Sequence, residues 1–165
     1  MGDLAFESNF KKTSDANLDI DDRILAAAFG EISGLLMRSP QFKTFAIQDL
    51  AWLVLPGIQT LNYSIARASP RDRSLSVPVG AVLWASVSAE VDARLSADFS
   101  ALKGLTAADW KSGNCVWIVL AEGREDVVRG ILGKLAVSHF QGKSLKTKHP
   151  LVASLVNQKS NNQHI

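Results

Sequence analysis

The chain has 165 residues, of which 47% are hydrophobic and 21% are charged, a composition typical of one folded domain with its own core. The net charge of +2 gives no electrostatic argument for binding nucleic acid or an anionic membrane. Cys115 is the only cysteine, which excludes an intrachain disulfide and is typical of a reducing compartment. No secretory leader and no apolar run of bilayer-spanning length is found, so we expect a cytoplasmic protein.

Three regions are predicted along the chain. Residues 1–20 are polar and lack periodicity, which predicts a flexible N-terminal arm. Residues 21–152 contain the periodic apolar segments and are predicted to form a single domain. Residues 153–165 are rich in Asn and Gln and are predicted to form a flexible tail.

The first half of the domain is predicted to contain two helices and two strands. Asp21 or Asp22 is expected to cap a helix that ends at Ser39-Pro40, because a residue before proline is pushed out of the α region. A second helix is predicted over residues 44–55, with Pro56-Gly57 as its terminator. Alternation predicts a strand over 61–66, and a near-continuous apolar run predicts a central strand over 79–87. The short connection between these strands favours antiparallel pairing.

The second half continues the alternation of helices and strands. Ser88 is predicted to cap a helix, and residues 97–105 are expected to be a loop. Thr106 and Asp109 have the spacing of a capping box. A strand over 116–121, an amphipathic helix over 124–140 and a short strand near residue 145 follow. This order predicts an α/β (α+β) layer fold, in which helices pack on a small mixed or antiparallel sheet.

The sequence carries no self-sufficient catalytic motif. It has no Gly-rich phosphate loop, no zinc-ligand spacing of cysteine and histidine, and no nucleophile elbow. His139 is interpreted as a surface histidine at a helix C-terminus. His149 and His164 are interpreted as solvated, as is the small basic cluster that surrounds the last strand. That cluster comprises Lys143, Lys146 and Lys148.

Four segments together suggest a family. They lie at residues 30–40, 49–58, 78–91 and 109–117, and in this order they resemble the RTX-toxin-activating lysine acyltransferases, which activate haemolysin-type protoxins. The similarity covers roughly residues 24–148. The residues that carry it are Ser39, Pro40, Trp84, Asp109, Trp110, Ser112, Gly113 and Trp117.

The resemblance implies a GNAT-like acyltransferase fold and, as in many members, a homodimer. Family members take a fatty acyl group from acyl carrier protein and place it on an internal lysine of a protoxin, with no bound cofactor or metal. That reaction needs a base, because only the free amine of lysine attacks a thioester. It also needs groups that stabilise the tetrahedral oxyanion.

The chain departs from the family where the resemblance places catalysis. By the resemblance, Phe42 falls on the position of the family's histidine, which follows the Ser-Pro pair. Leu120 falls on the position of the family's strand aspartate, or a short deletion has removed that position. Neither side chain exchanges protons. Ser39 is retained at a position linked to activity in the family. Glu122, two residues after Leu120 and on the same strand face, and His139 are the remaining candidates.

Three hypotheses remain open, and whether the chain is an enzyme is among them. The first is a toxin-activating acyltransferase, by fold and ancestry. The second is a non-catalytic member that binds an acyl chain, acyl carrier protein or a client protein in the cleft that family members use for catalysis. The third is a GNAT-like enzyme whose chemistry has moved to Glu122 or His139. The residues favour the second mechanism over full activity, because losing a general base costs about 10²–10⁴-fold in rate.

Overall fold

The computed structural model describes residues 16–69 and 75–154. In these residues the sheet has four strands in the order β1-β2-β3-β4. β1 and β2 are antiparallel, as are β2 and β3, whereas β4 runs parallel to β3. The mixed sheet with its packed helices confirms the predicted α/β (α+β) class. The strands are β1 (Tyr63–Ala68), β2 (Val77–Val87), β3 (Cys115–Gly123) and β4 (Leu145–Thr147).

The helices are α1 (Ala16–Arg38), α2 (Leu50–Leu53), α3 (Leu55–Gln59), α4 (Ala89–Ala97) and α5 (Glu125–Ser138). The predicted start of the first helix at Asp21 or Asp22 is wrong, because the chain is already helical at Ala16, the first described residue. Asp21 and Asp22 therefore lie inside the helix and do not cap it. Residues 1–15 and 155–165, most of the predicted arm and tail, lie outside the described residues.

The single helix predicted over residues 44–55 is also wrong. The structure has a 3₁₀ turn at Ile47–Asp49, then α2, a break at Val54, and α3. Pro56 does not end a helix but lies in the first turn of α3, where its missing N–H costs no hydrogen bond. The boundary was misplaced because a proline is compatible with both ends of a helix.

Gly57 lies inside α3 for a packing reason. A Cβ at this position would lie 2.8 Å from Cδ2 of Leu83 in β2, so a larger residue here would require the Leu83 side chain to shift. The loop predicted over 97–105 is instead a 3₁₀ helix at Phe99–Gly104, which begins at Asp98 with a side-chain hydrogen bond to Ser100 N of 2.9 Å.

The sheet separates two apolar layers. We call the side covered by α1 to α4 the α1 face; its core includes Ile32, Val54 and Leu83. We call the opposite side the α5 face; its core includes Ile118 and Val128. Each such side chain, when fully buried, contributes about 1.5–3 kcal/mol.

A β-bulge interrupts β3 just before Leu120. Leu83 pairs with Leu120 and Trp84 pairs with Ile118, which leaves Val119 as the extra residue. Val119 and Leu120 both pack on the α1 face, although they are adjacent in sequence. Bulges of this kind redirect side chains and are common beside functional sites. Among the described residues, no helix has both the length and the apolar character needed to cross a bilayer.

Candidate functional site

The turn at Thr106–Gly113 is fixed by its own hydrogen bonds. Thr106 N donates to Asp109 Oδ2 at 2.8 Å, and Asp109 N donates to Thr106 Oγ1 at 3.2 Å, which confirms the predicted capping box. The backbone N–H and then the hydroxyl of Thr106 hold the pKa of Asp109 below its usual value. The carboxylate of Asp109 is therefore occupied by hydrogen bonds within the turn.

Ser112 and Gly113 tie this turn to the end of β2. Ser88 N donates to Ser112 Oγ at 2.8 Å, and Gly113 N donates to Ser86 O at 3.1 Å. A Cβ at position 113 would lie 2.5 Å from Val87 O, so glycine is required by this close backbone approach. These two family-motif residues build the corner between β2 and β3.

The motif tryptophans are packing residues. Trp110 is fully buried on the α1 face, and Trp84 packs edge-on against Phe140 on the α5 face at 5.3 Å between ring centroids. Trp117 stacks on Phe99 at 5.6 Å. These rings shape the layers on both sides of β3 and do not supply acid–base groups.

Asp92 connects α4 to the last two strands. Its carboxylate accepts hydrogen bonds from Lys146 Nζ and Trp117 Nε1, each at 2.8 Å. The Lys146 ammonium is the larger cause of the lowered pKa of Asp92, and burial opposes it. The Lys146 side chain is 38% exposed, and its amine is also paired with Asp92, because the parallel pairing of β4 with β3 carries it to α4.

An open cavity of about 350 Å³ lies beside this ion pair. Trp117 forms part of its wall, together with β4 and the residues that follow it. Its lining residues include Ser96, Trp117, Lys146, Lys148 and Ala153.

The family's histidine position holds an apolar side chain inside the fold. Ser39 is extended and 6% exposed, and residues Pro40–Phe42 form a 3₁₀ turn. We call residues 39–42 the Ser-Pro turn. Phe42 is half-buried, packs against the core of the α1 face, and meets Phe45 edge-on at 5.0 Å. Its ring contributes to the core and has no role in proton transfer.

The family's aspartate position is more deeply buried. Leu120 is 1% exposed and belongs to the same cluster as Ile32 and Leu83. The side chain is almost fully shielded from solvent, and an uncompensated carboxylate would be costly there. Both departures from the family pattern are thus integrated into the packing of the α1 face.

Glu122 is the predicted candidate that reaches the Ser-Pro turn. Gln41 Nε2 donates to Glu122 Oε2 at 2.7 Å, across 81 residues of sequence. Glu122 is half-buried and is followed by Gly123, whose φ of +126° lets β3 turn away. The structure therefore places a carboxylate next to the residue that precedes Phe42.

His139 lies elsewhere. It follows α5, is exposed, and shares a 2.8 Å hydrogen bond between its Nδ1 and Ser138 Oγ. Its ring meets Trp84 on the α5 face at 5.8 Å. The two predicted candidates, Glu122 and His139, are not brought together, since the sheet separates His139 from the Ser-Pro turn.

His149 was missed by the sequence analysis. The prediction that it is solvated is wrong: it is half-buried, and its Nδ1 is buried with no hydrogen-bond partner among the described residues. Burial lowers the pKa of His149, and the negative charge of Glu122 opposes this shift. In the sequence, His149 is marked only by its position just after the last strand. Its surroundings are set by the pairing of β4 with β3, which the sequence does not show.

The described residues contain no cluster of three or more His, Cys, Asp or Glu side chains that could hold a metal ion.

Comparison with known proteins identifies the family of this chain. The profile of the HlyC family, described as the RTX toxin acyltransferase family, matches residues 24–160. The chain belongs to this family.

A curated relative agrees with this assignment. The chain is 30% identical over 90 residues to the leukotoxin-activating lysine-acyltransferase LktC of a Pasteurella haemolytica-like species. This match covers 54% of the chain and 49% of the relative, so the chain spans about half the length of the curated relative it matches. Family membership and the turn-and-strand framework of the motif residues therefore agree, and the two positions at which the resemblance implies catalytic side chains hold Phe42 and Leu120.

Proposed function

We propose that this family member transfers a fatty acyl group from acyl carrier protein to the side-chain amine of an internal lysine in an RTX-type protoxin. One observation in the site supports it: Gln41 holds the Glu122 carboxylate at the Ser-Pro turn, with a separation of 2.7 Å. A half-buried carboxylate is thus available beside Phe42 although the family's own histidine and aspartate are replaced.

The carboxylate suits the acceptor substrate. A lysine side chain arrives as an ammonium ion, and a half-buried carboxylate binds it through a charge-assisted hydrogen bond. Gln41 fixes the orientation of Glu122 by occupying Oε2, which leaves Oε1 for the incoming amine. We therefore assign Glu122 to binding and orienting the acceptor lysine.

The donor would approach from the β4 side. The cavity next to Trp117 is large enough for part of an extended thioester arm, and the exposed amine of Lys148 at its rim favours an anionic group. Acyl carrier protein is then the co-substrate, the reaction takes place in the cytoplasm, and we propose no further bound cofactor.

A second function remains a candidate because of the packing of Phe42 and Leu120. Both are embedded in the core of the α1 face, and neither exchanges protons. A chain that lost catalysis but kept the framework would bind an acyl chain, acyl carrier protein or a client protein without modifying it.

One experiment separates the two functions. The full-length chain is incubated with acyl carrier protein charged with a saturated fatty acyl group and with an RTX-type protoxin, and tandem mass spectrometry locates any acylated lysine. Acyl transfer supports the proposed function. Unmodified protoxin, together with calorimetrically measured binding of the acylated carrier protein, supports the binding module and refutes the enzyme.

A matched pair of variants tests the role of Glu122. Glu122→Gln keeps an oxygen for Gln41 but removes the charge, and we expect a rise in KM for protoxin and a loss of about 10²-fold in kcat/KM. Glu125→Gln removes an exposed carboxylate on α5 that pairs with Arg129 and should leave transfer unchanged. Equal activity of the two variants would contradict the assignment of Glu122.

A further inference from the structure

Three aromatic side chains form a continuous row that begins in the Ser-Pro turn. The ring of Phe42 meets that of Phe45 at 5.0 Å between centroids, and Phe45 meets Trp52 at 6.0 Å. We call these three residues the aromatic row. Phe45 is 39% exposed, whereas Phe42 and Trp52 are half-buried, so none of the three is shut off from solvent. Contiguous exposed apolar surface marks binding sites, unlike apolar residues that are scattered singly.

The row is anchored at both ends and open in its middle. Phe42 and Trp52 pack against the core of the α1 face, and the ring of Phe45 lies between theirs. The chain between Phe45 and Trp52 exposes a further apolar side chain, because Ile47 in the 3₁₀ turn before α2 is 88% exposed. The core therefore holds the row in place without covering it.

The far end of the row is fixed by hydrogen bonds. Trp52 Nε1 donates to Asp49 Oδ1 at 3.0 Å, and Ala46 N donates to Asp49 Oδ2 at 2.8 Å. The polar edge of the indole is thus satisfied within the protein, which leaves its apolar surface for a ligand. Lys103 Nζ lies over the same ring at 5.2 Å from the centroid, so a positive charge marks the end of the apolar row. A surface fixed in advance loses little conformational entropy on binding.

The row is continuous with the site at Glu122. Phe42 directly follows Gln41, whose side chain holds the Glu122 carboxylate at 2.7 Å. In the proposed reaction the acceptor lysine binds Glu122, and the carbonyl carbon of the thioester must come within bonding reach of its amine. The acyl chain begins at that carbon, so its first methylene groups lie beside the Ser-Pro turn, where the aromatic row starts.

The size of the row also favours a hydrocarbon chain as its occupant. An aromatic side chain offers about 150–250 Å² when it is fully covered, and the three rings are already partly covered by the protein. They therefore supply less than the roughly 800 Å² per partner of a stable protein interface. A single apolar chain needs no more than such a narrow row.

We propose that the aromatic row binds the hydrocarbon tail of the fatty acyl group, with Phe42 nearest the reacting carbonyl and Trp52 at the far end. The inference rests on the proposed function. The thioester arm and the tail then occupy different places, since the arm lies in the cavity bordered by Trp117 and the tail lies on the row. The residue at the position of the family's histidine thereby serves in substrate binding rather than proton transfer.

The length of the row sets the length of chain that it holds. The two centroid separations, 5.0 and 6.0 Å, limit the row to about 11 Å. An extended chain advances by less than a C–C bond of about 1.5 Å per carbon, so the row holds on the order of ten carbons. The dissociation constant of the charged carrier protein should fall by up to about 4-fold for each added methylene group and level off near this length.

The tryptophans of the wild-type chain provide the test. Trp84, Trp110 and Trp117 are buried, whereas Trp52 is half-buried and belongs to the row. Bromine quenches tryptophan fluorescence on contact. Acyl carrier protein is charged with a fatty acyl group that matches the row in length and carries bromine on its last carbon. We expect it to quench the emission of the full-length chain, and we expect this quenching to be lost in Trp52→Phe.

A matched pair of variants measures the contribution of the row to affinity. Phe45→Ala should weaken binding of the charged carrier protein by about 10-fold, because a half-exposed ring no longer covers the chain. Val137→Ala removes a side chain that is 74% exposed on α5, on the opposite side of the sheet, and should bind as the wild type does. Carrier protein without an acyl group should bind both variants equally, which a general structural defect in Phe45→Ala would not allow.

The outcomes separate this inference from the proposed function. Binding of the brominated carrier protein without quenching of Trp52, or an affinity that does not depend on chain length, overturns the inference alone. A change in Trp52 emission that only the protoxin causes assigns the row to a protein partner and also overturns it. Quenching without acyl transfer to the protoxin supports the row as an acyl site and refutes the enzyme. No binding of the charged carrier protein refutes both.

Discussion

Leu120→Asp introduces the residue that the family resemblance implies at this position and gives the sharpest test of the site's packing. Leu120 is 1% exposed and packs with Ile32 and Leu83 on the α1 face, directly after the bulge in β3. This packing closes the position to a carboxylate. The substitution should therefore destabilise the fold and should not recreate a reactive group.

The size of the effect follows from two contributions. Removing a buried leucine side chain costs about 2–5 kcal/mol. A buried carboxyl group without partners adds about 1–3 kcal/mol even when it is neutral. We expect a total loss of about 3–8 kcal/mol, out of about 5–15 kcal/mol for a typical domain. For a chain of this length the melting temperature should fall by about 6–30 °C.

Urea denaturation followed by tryptophan fluorescence measures this loss, with Leu120→Asn as the uncharged control. Burial raises the pKa of the introduced carboxyl in the folded state above its unfolded value of about 3.9. The penalty should therefore be smallest below about pH 4 and should grow as pH rises toward the folded-state pKa, a trend that Leu120→Asn lacks. Near-wild-type stability of Leu120→Asp at neutral pH would refute the buried placement of this residue.

Two further predictions concern the framework around the site. Gly113→Ala should lower the free energy of unfolding by about 1–3 kcal/mol, because its Cβ would lie 2.5 Å from a backbone oxygen. The control Gly130→Ala, in open space on α5, should raise it by about 0.5–1 kcal/mol. Equal effects of the two substitutions in urea denaturation would contradict the close approach at Gly113. Asp92→Asn weakens the contacts with Lys146 and Trp117 and should cost about 1 kcal/mol at neutral pH, a modest figure because the Lys146 side chain is 38% exposed. The pKa of Asp92 is lower in the folded state than in the unfolded chain, where it is near 4. The stabilisation by its carboxylate is therefore complete above the unfolded-state pKa and is lost as pH falls through the folded-state pKa. The unfolding curves of the wild type and Asp92→Asn should differ at pH 7 and converge in acid.

The departures at Phe42 and Leu120 concern chemistry rather than fold. An apolar residue at each position adds to the core, and the fold is retained. The function therefore depends on whether other side chains replace the lost proton-transfer groups. The structure brings the carboxylate of Glu122 to the Ser-Pro turn, where the variants described above test its role.

Local sequence determined the parts of this protein that depend on neighbouring residues. The capping box of Thr106 and Asp109 and the cap at Ser88 formed as predicted, because each is a hydrogen bond between residues three positions apart. The end of α1 before Pro40 was also predicted, since proline restricts the residue before it. Pro56 was misread because a proline fits the first turn of a helix as well as the segment after its end.

Only the tertiary structure decided which side chains share the site. The contact between Gln41 and Glu122 joins residues 81 positions apart, and no local pattern encodes it. The placement of His149 depends on the parallel pairing of β4 with β3, and a strand of three residues is too short for its sequence to predict that pairing. The bulge at Val119 sets the face on which Leu120 lies, because one extra residue reverses the alternation of a strand. Sequence thus determined the family and its local framework, whereas long-range pairing determined which groups are available for chemistry.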